Sequence, residues 1–521
     1  DVLGSRGLGD VYKRQILMYK NIVYHTSIMR VIVSILLIFY TTLGFTAVNV
    51  SIRVSTVLQL SKDNILCTEK LPRVYSKLIV DVKCELDGRH LVLPSGAELA
   101  IEGKGYIDNG IIEGNNSVLT VKSQGPVIGL NILILGTWHN DEVYDSWFYF
   151  DNSPDFVSNC IIKNALSLTD DFHFCHIYFQ ADRNYFFELP YKGEANLGDK
   201  LPYSMVGKVK KRKYADLYKD EYSFLRIFTI PSNTHLTIQN HFRMLPTNQG
   251  AYFVFWEYGK DNVIIDGKGS ISGDVREHIY NSPFVKRSNY YGEWGHIFCC
   301  RVCSNFRFKD ITIENSFGDC ILYTSDYSNE HISNRCSKGL IIENVKIKYA
   351  RRNGITIGAQ NVVIQNSLFE SCGIDSIKGT APKAGIDFEP DGVRVYPETG
   401  NDNVYMRNCI FINNEYDVSS TFNNLGTFNK IATHISNCEF TAPLRLNTTN
   451  WIEFNNCVIP DITNYQDKIT EKCPVKHVTF KDCIIKKMPS ILLTPSWNNL
   501  FLQCNIIEIK EDIMSFSTND K

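Results

Sequence analysis

An excess of charge of either sign is missing from this chain: 54 lysines and arginines stand against 56 aspartates and glutamates, a formal net charge of −2. That balance leaves no electrostatic footprint for nucleic acid or for an anionic membrane. Long apolar runs are missing too, the uncharged run Val31–Leu43 being too short to cross a bilayer as a helix. No stretch has the three-and-four spacing of apolar residues that a long amphipathic helix needs, so helical solenoids are excluded. Cysteine is plentiful, yet zinc-site spacing is absent, because Cys299, Cys300 and Cys303 have no second Cys-x-x-Cys partner.

What is present is a repeat. Units of about twenty residues recur between Asn344 and Gln503, reading GLIIENVKI from Gly339, NVVIQNSLF from Asn361, NVYMRNCIF from Asn403, THISNCEF from Thr433, WIEFNNCVI from Trp451 and HVTFKDCII from His477. Each unit alternates apolar and polar residues over the length of a strand. A unit this short cannot bury its apolar side alone and must stack on its neighbours, which predicts an all-β fold: a right-handed parallel β-helix with loop insertions. The marker residues Asn344, Asn366, Asn408, Asn437, Asn456, Asp482 and Gln503 then form one column, a ladder of side-chain amides. Cys160, Cys372, Cys409, Cys438, Cys457 and Cys483 share the slot after the marker, where a coil points inward. They are expected as buried free thiols rather than as a disulfide framework.

Residues 1–15, DVLGSRGLGDVYKRQ, look like translated sequencing adapter and are set aside. Residues 16–47 have the form of a signal peptide, with Met29 and Arg30 before the apolar run and Gly44 and Ala47 after it. The first cysteine is Cys67, which argues against a lipoprotein anchor. The expectation is a bacterial protein exported to the periplasm or medium, with residues 48–521 forming one β-helix domain. Coils are expected from Leu91, through NILIL and NCIIKN (Asn159–Asn164), and again from Ile230. Insertions are expected near 137–224, including the basic loop Lys208–Tyr222, and near 274–295.

The densest set of chemistry-bearing residues runs from Asn353 to Val395. In AGIDFEP the strand period turns Ile386 and Phe388 inward and Asp387 and Glu389 outward together. Two such carboxylates stand about 6.5 to 7 Å apart, near the lower edge of the spacing used by inverting glycosidases. Asp319, in SFGDCIL on an earlier coil, is a third candidate. Arg351, Arg352 and Lys378 are placed to hold substrate. Glu293, Trp294 and His296, in GEWGH, are read as a loop over the cleft.

The segments NVIIDGKGSISG, KDITIENS, GDCI, NGITIGAQNVVIQN and GIDSIKG follow the order of the strand signatures of the polygalacturonase family. The chain thus resembles the pectin lyase-like right-handed β-helix superfamily, and is distantly similar to those glycoside hydrolases. The resemblance covers roughly Asn262–Gly379 at motif level and implies carbohydrate cleavage. Of the family's Gly-Asp-Asp carboxylates, GDCI retains Asp319. Where the family has Gly-His-Gly, this chain has Arg352-Asn353-Gly354, without the catalytic histidine, and the Arg-Ile-Lys clamp stands as Ser376-Ile377-Lys378, keeping the lysine. The AGIDFEPD segment looks like bacterial β-helix proteins associated with glycan degradation and phage tailspikes.

These readings converge on an exported enzyme that cleaves a polysaccharide by inverting hydrolysis, with no cofactor, no metal, no nucleic-acid partner and no membrane insertion after signal removal. Two alternatives stand beside it. One is a polysaccharide lyase using Ca²⁺ held by Asp375, Asp387, Glu389 and Asp391. The other is a non-catalytic glycan-binding or adhesive β-helix.

Overall fold

The computed structural model describes residues 57–60, 74–151, 156–180, 182–189, 225–247, 252–278, 294–326, 336–375, 380–390, 396, 399–421, 430–463 and 474–510. The adapter-like leader, the signal region and the basic loop Lys208–Tyr222 lie outside the described residues. Strands pair in parallel from coil to coil, so the chain is a right-handed parallel β-helix. A coil passes in turn through three sheets. One coil, for example, runs Tyr252–Tyr258 in the first sheet, Asp261–Asp266 in the second and Ser270–Ser272 in the third.

Register explains why the alternating sequence works. In the second sheet Ile265, Phe308, Ile342, Ile364, Met406 and Ile435 are Cα partners in succession and all are buried. The third sheet aligns Tyr185, Phe242, Ile271, Ile313, Ile347, Phe369 and Phe411 in the same way. These inward columns fill the lumen as one continuous apolar core. Each such side chain contributes about 1.5–3 kcal/mol by leaving water, and a slip by one residue would turn the whole column outward.

The asparagine column lies at the corner between the second and third sheets. Asn344, Asn366, Asn408, Asn437 and Asn456 all have φ between 51 and 54°, the left-handed region that asparagine tolerates better than other side chains. The amide of Asn456 donates to the Asn437 Oδ1 at 2.8 Å, Asn437 to Asn408 and Asn408 to Asn366 at 3.3 Å. Asn344 and Asn366 sit on adjacent coils, as expected, the Asn344 N–H donating to the Gln365 carbonyl. The described cysteines carry no disulfide, and all but Cys336 and Cys504 are buried.

Two expectations change. NCIIKN is not a coil: Asn159–Ser167 is an α-helix, because Cys160, Ile161, Ile162, Ala165 and Leu166 group their apolar atoms with helical spacing. Its Asn164 caps the strand Ile132–Trp138 by accepting from the Ile134 N–H and donating to the Ile132 carbonyl. Cys160 is therefore buried from a helix. The stretch 137–224 is also less of an insertion than its composition suggested, since Glu142–Tyr144, Cys175–Phe179 and Asn184–Phe187 join the second and third sheets. No helix among the described residues is long and apolar enough to cross a membrane.

Candidate active site

The outer face of the first sheet gathers the candidates from three successive coils. Leu322, Thr356, Asp387, Ser419 and Arg445 are Cα partners in one outward row, while Ile321, Ile355, Ile386, Val418 and Leu444 anchor the same strands from inside. Asp319 enters from the turn before Ile321–Thr324, and Arg352 and Asn353 from the turn before Ile355–Gln365.

Arg352 binds the cluster together. It donates from one terminal nitrogen to the Asp319 Oδ2 at 2.8 Å and from the other to the Glu389 Oε2 at 3.1 Å. Asp319 also accepts from the Thr356 hydroxyl at 2.7 Å and from the Asn353 N–H at 3.1 Å. Burial pushes the Asp319 carboxyl up from its ordinary range, against the pull of these donors. His296 is fully buried, and its Nδ1 accepts the Asp319 N–H at 2.8 Å, which fixes the neutral tautomer with the proton on Nε2. Burial and the Arg352 charge hold its pKa well below the usual histidine value.

Asp387 was expected to stand exposed beside Glu389, and the structure corrects this. Asp387 is completely buried, whereas the Glu389 side chain keeps 20% exposure. The reason is the turn at residues 380–383, pinned over the row by Arg352 donating to the Ala381 carbonyl and Arg445 to the Pro382 carbonyl. Within the cluster the Asn353 amide donates to the Asp387 Oδ2 at 3.5 Å. Desolvation first, and the Glu389 charge second, push the Asp387 pKa well above the carboxylate range. The result is a carboxyl that keeps its proton beside one ion-paired to arginine.

Other expectations fare differently. Arg351 does not face the groove: its side chain is buried, with Nε 3.2 Å from the Asp375 Oδ2 and the guanidinium over the Phe317 ring. Alternation places it on the other side of the turn from Arg352, where it braces a corner. Asp375, spent on Arg351, does not join Asp387 and Glu389 in a calcium set. No three His, Cys, Asp or Glu side chains among the described residues are grouped to hold a metal ion. Glu293, Lys378 and Asp391 lie outside the described residues. His296 is the first residue of a strand rather than part of a loop. Trp294 packs against an outer apolar cluster of Phe253, Cys299 and Leu322, with its ring 5.8 Å from that of His296, so it borders the Asp319 end of the row. Thr356 and Asn353 were not singled out, though Thr356 held the outward slot of a strand in register with Asp387, a signal available once coils are aligned.

No family model matches the sequence. A stretch of 200 residues is 30% identical to the uncharacterized protein YclG of Bacillus subtilis strain 168, covering 38% of this chain and a third (33%) of the relative's length. Among solved structures, a polygalacturonase from Erwinia carotovora is 12% identical with a TM-score of 0.41, over 72% of this chain and 96% of that one. The tailspike protein gp49 of Acinetobacter baumannii bacteriophage Fri1, a capsular polysaccharide depolymerase, is 11% identical with a TM-score of 0.35, over 72% and 65%. The Streptococcus pneumoniae surface adhesin PfbA is 12% identical with a TM-score of 0.32, over 85% and 89%. The strand pairing of the chain itself makes it a parallel β-helix, the fold that the strand signatures suggested.

Proposed function

We propose that the protein is a carbohydrate-active enzyme that hydrolyses a polysaccharide on the outer face of the first sheet, and that it acts after export. The observation that carries this reading is the cluster in which Arg352 bonds both Asp319 and the partly exposed Glu389, with the buried Asp387 two residues before Glu389 on the same strand end. Two neighbouring carboxyls, one buried and one partly exposed, favour keeping a single proton between them, which the exposed member can pass on. Such a pair can protonate a glycosidic oxygen, and Glu389 is the member that substrate can reach. Asp319, on the other side of Arg352, is the second carboxylate available to direct a water, which is the arrangement inversion requires. Arg352 and Thr356 orient Asp319, and the neutral His296 fixes the backbone beneath it. Substrate displacing Arg352 from between the carboxylates would open the gap in which the sugar sits.

The test is incubation with a panel of plant, algal and host polysaccharides, reading new reducing ends and ultraviolet absorbance together. Reducing ends without absorbance, and products of inverted anomeric configuration by proton NMR, are expected. Ultraviolet-absorbing unsaturated products would replace this reading with a lyase, and no product on any polymer would replace it with a binding protein.

A further inference from the structure

The third sheet has a concavity of its own, on a different outer face from the carboxylates. It encloses about 380 Å³, within the range of small-ligand sites. Phe186 and Arg243 project outward from neighbouring strands to form its floor. Arg276, from the turn after Gly273, forms a wall and lies over the ring of Tyr349 at 3.6 Å.

Charge in the cleft is balanced. Arg243 donates to the Glu277 carboxylate at 2.8 Å, and Glu314 and Arg276 add one further carboxylate and one further guanidinium to the lining. Donors and acceptors of both kinds thus line the site without a net sign, which favours a neutral, hydroxyl-rich ligand over an ion.

Tyr349 is the unusual residue. It has φ 53° at the corner after the third sheet, the position filled by Asn315, Ser371 and Asn413 on other coils. A bulky aromatic side chain is a poor choice for the left-handed region, and turn geometry alone would favour asparagine. One face of its ring carries the Arg276 guanidinium, and the ring also lines the cleft beside polar groups, the combination that takes the C–H edge of a pyranose while its hydroxyls are hydrogen-bonded.

We propose that this cleft is an accessory binding site for a neutral glycan, with one sugar ring seated against Tyr349 and Phe186. It would hold a polymer on the third sheet while another segment is cut on the first. The choice of a glycan as ligand rests on the proposed function; the geometry of the cleft does not.

The test uses the full chain carrying Glu389→Gln, applied to immobilised cellulose, xylan, mannan and α-glucan and, as acidic controls, polygalacturonate and alginate. Retention on at least one neutral polymer is expected. Adding Tyr349→Asn should weaken that retention about tenfold, the scale of one lost ring contact, without lowering the melting temperature, because asparagine suits the corner better. Phe186→Ser should weaken it likewise. Retention unchanged by both substitutions, confined to the acidic polymers, or absent throughout would overturn the proposal. If Glu389→Gln keeps full turnover, the carboxylate reading fails and the retention result still stands by itself.

Discussion

The outward rows of the first and second sheets use the same ingredients to opposite effect. On the second sheet Arg307 donates to Glu343 at 2.6 Å and Gln365 to Glu343 at 2.9 Å, in the open, with the Arg307 side chain 40% exposed. The Arg307 bond draws the Glu343 pKa down. On the first sheet Arg352 meets Asp319 and Glu389 under a pinned turn, and the neighbouring Asp387 is pushed up by burial. An arginine among carboxylates is ordinary surface chemistry in one row and part of a buried cluster with a raised carboxyl in the other. What differs is the cover.

The largest effect should separate the two arginines. Arg352→Ala leaves the Asp319 carboxyl buried without its cation, so urea unfolding should show a loss of about 3–5 kcal/mol. Arg307→Ala should cost at most about 1 kcal/mol. Equal losses would mean that the two rows are energetically alike.

Asp417 extends the comparison to pH. Burial raises its pKa from 3.8 to about 6, although it accepts from the Ala442 N–H and the Asn414 amide. A carboxyl raised on folding adds stability below its unfolded pKa and loses it as pH climbs through the folded value. The window is therefore pH 4 to about 6, and the loss about 3 kcal/mol. Wild-type stability should fall by that amount relative to Asp417→Asn from pH 3 to pH 7, followed by denaturant unfolding. A difference that stays level would show the carboxyl to be solvated.

Turnover gives the next contrast. Asp387→Asn and Glu389→Gln should each lower kcat on the identified polymer by roughly 10²-fold, while Glu343→Gln leaves it unchanged. Because Glu389 helps hold the proton on Asp387, residual activity in Glu389→Gln should lose its alkaline limb at lower pH than wild type does. A pH profile unmoved by that change would uncouple the pair.

The smallest effect belongs to the ladder. Asn437→Ala should cost about 1 kcal/mol from its φ of 51°, and Asn437→Gly should recover most of it, measured by thermal melting.

The asparagine column and the cysteines behind it at 409, 438, 457 and 483 were legible because each slot imposes one local demand, a left-handed corner or a small inward filler, and the demand repeats; Cys372, after Ser371, fills the other corner. The carboxylates were legible as outward residues for the same reason. Their burial was not, since it depends on the turn at 380–383 and on two arginines reaching it from residues 352 and 445. Arg351 and Arg352 are neighbours in sequence with opposite fates, and only the turn decides which faces the groove. The helix at Asn159–Ser167 was misread because NCIIKN imitates the repeat's Asn-Cys pair while its apolar residues follow another period.

The site's dependence on three successive coils bears on how such a chain can evolve. A solenoid accepts the gain or loss of a whole turn almost anywhere, because the new neighbours present the same ridges as the old. Between Asp319 and Glu389 it cannot: one turn added there would move the two carboxylates apart by a further strand spacing of about 4.8 Å, beyond the span of a single guanidinium. Duplication and deletion are thus free to remodel the ends of this protein, while the segment joining those two residues is fixed in length by the reach of one side chain.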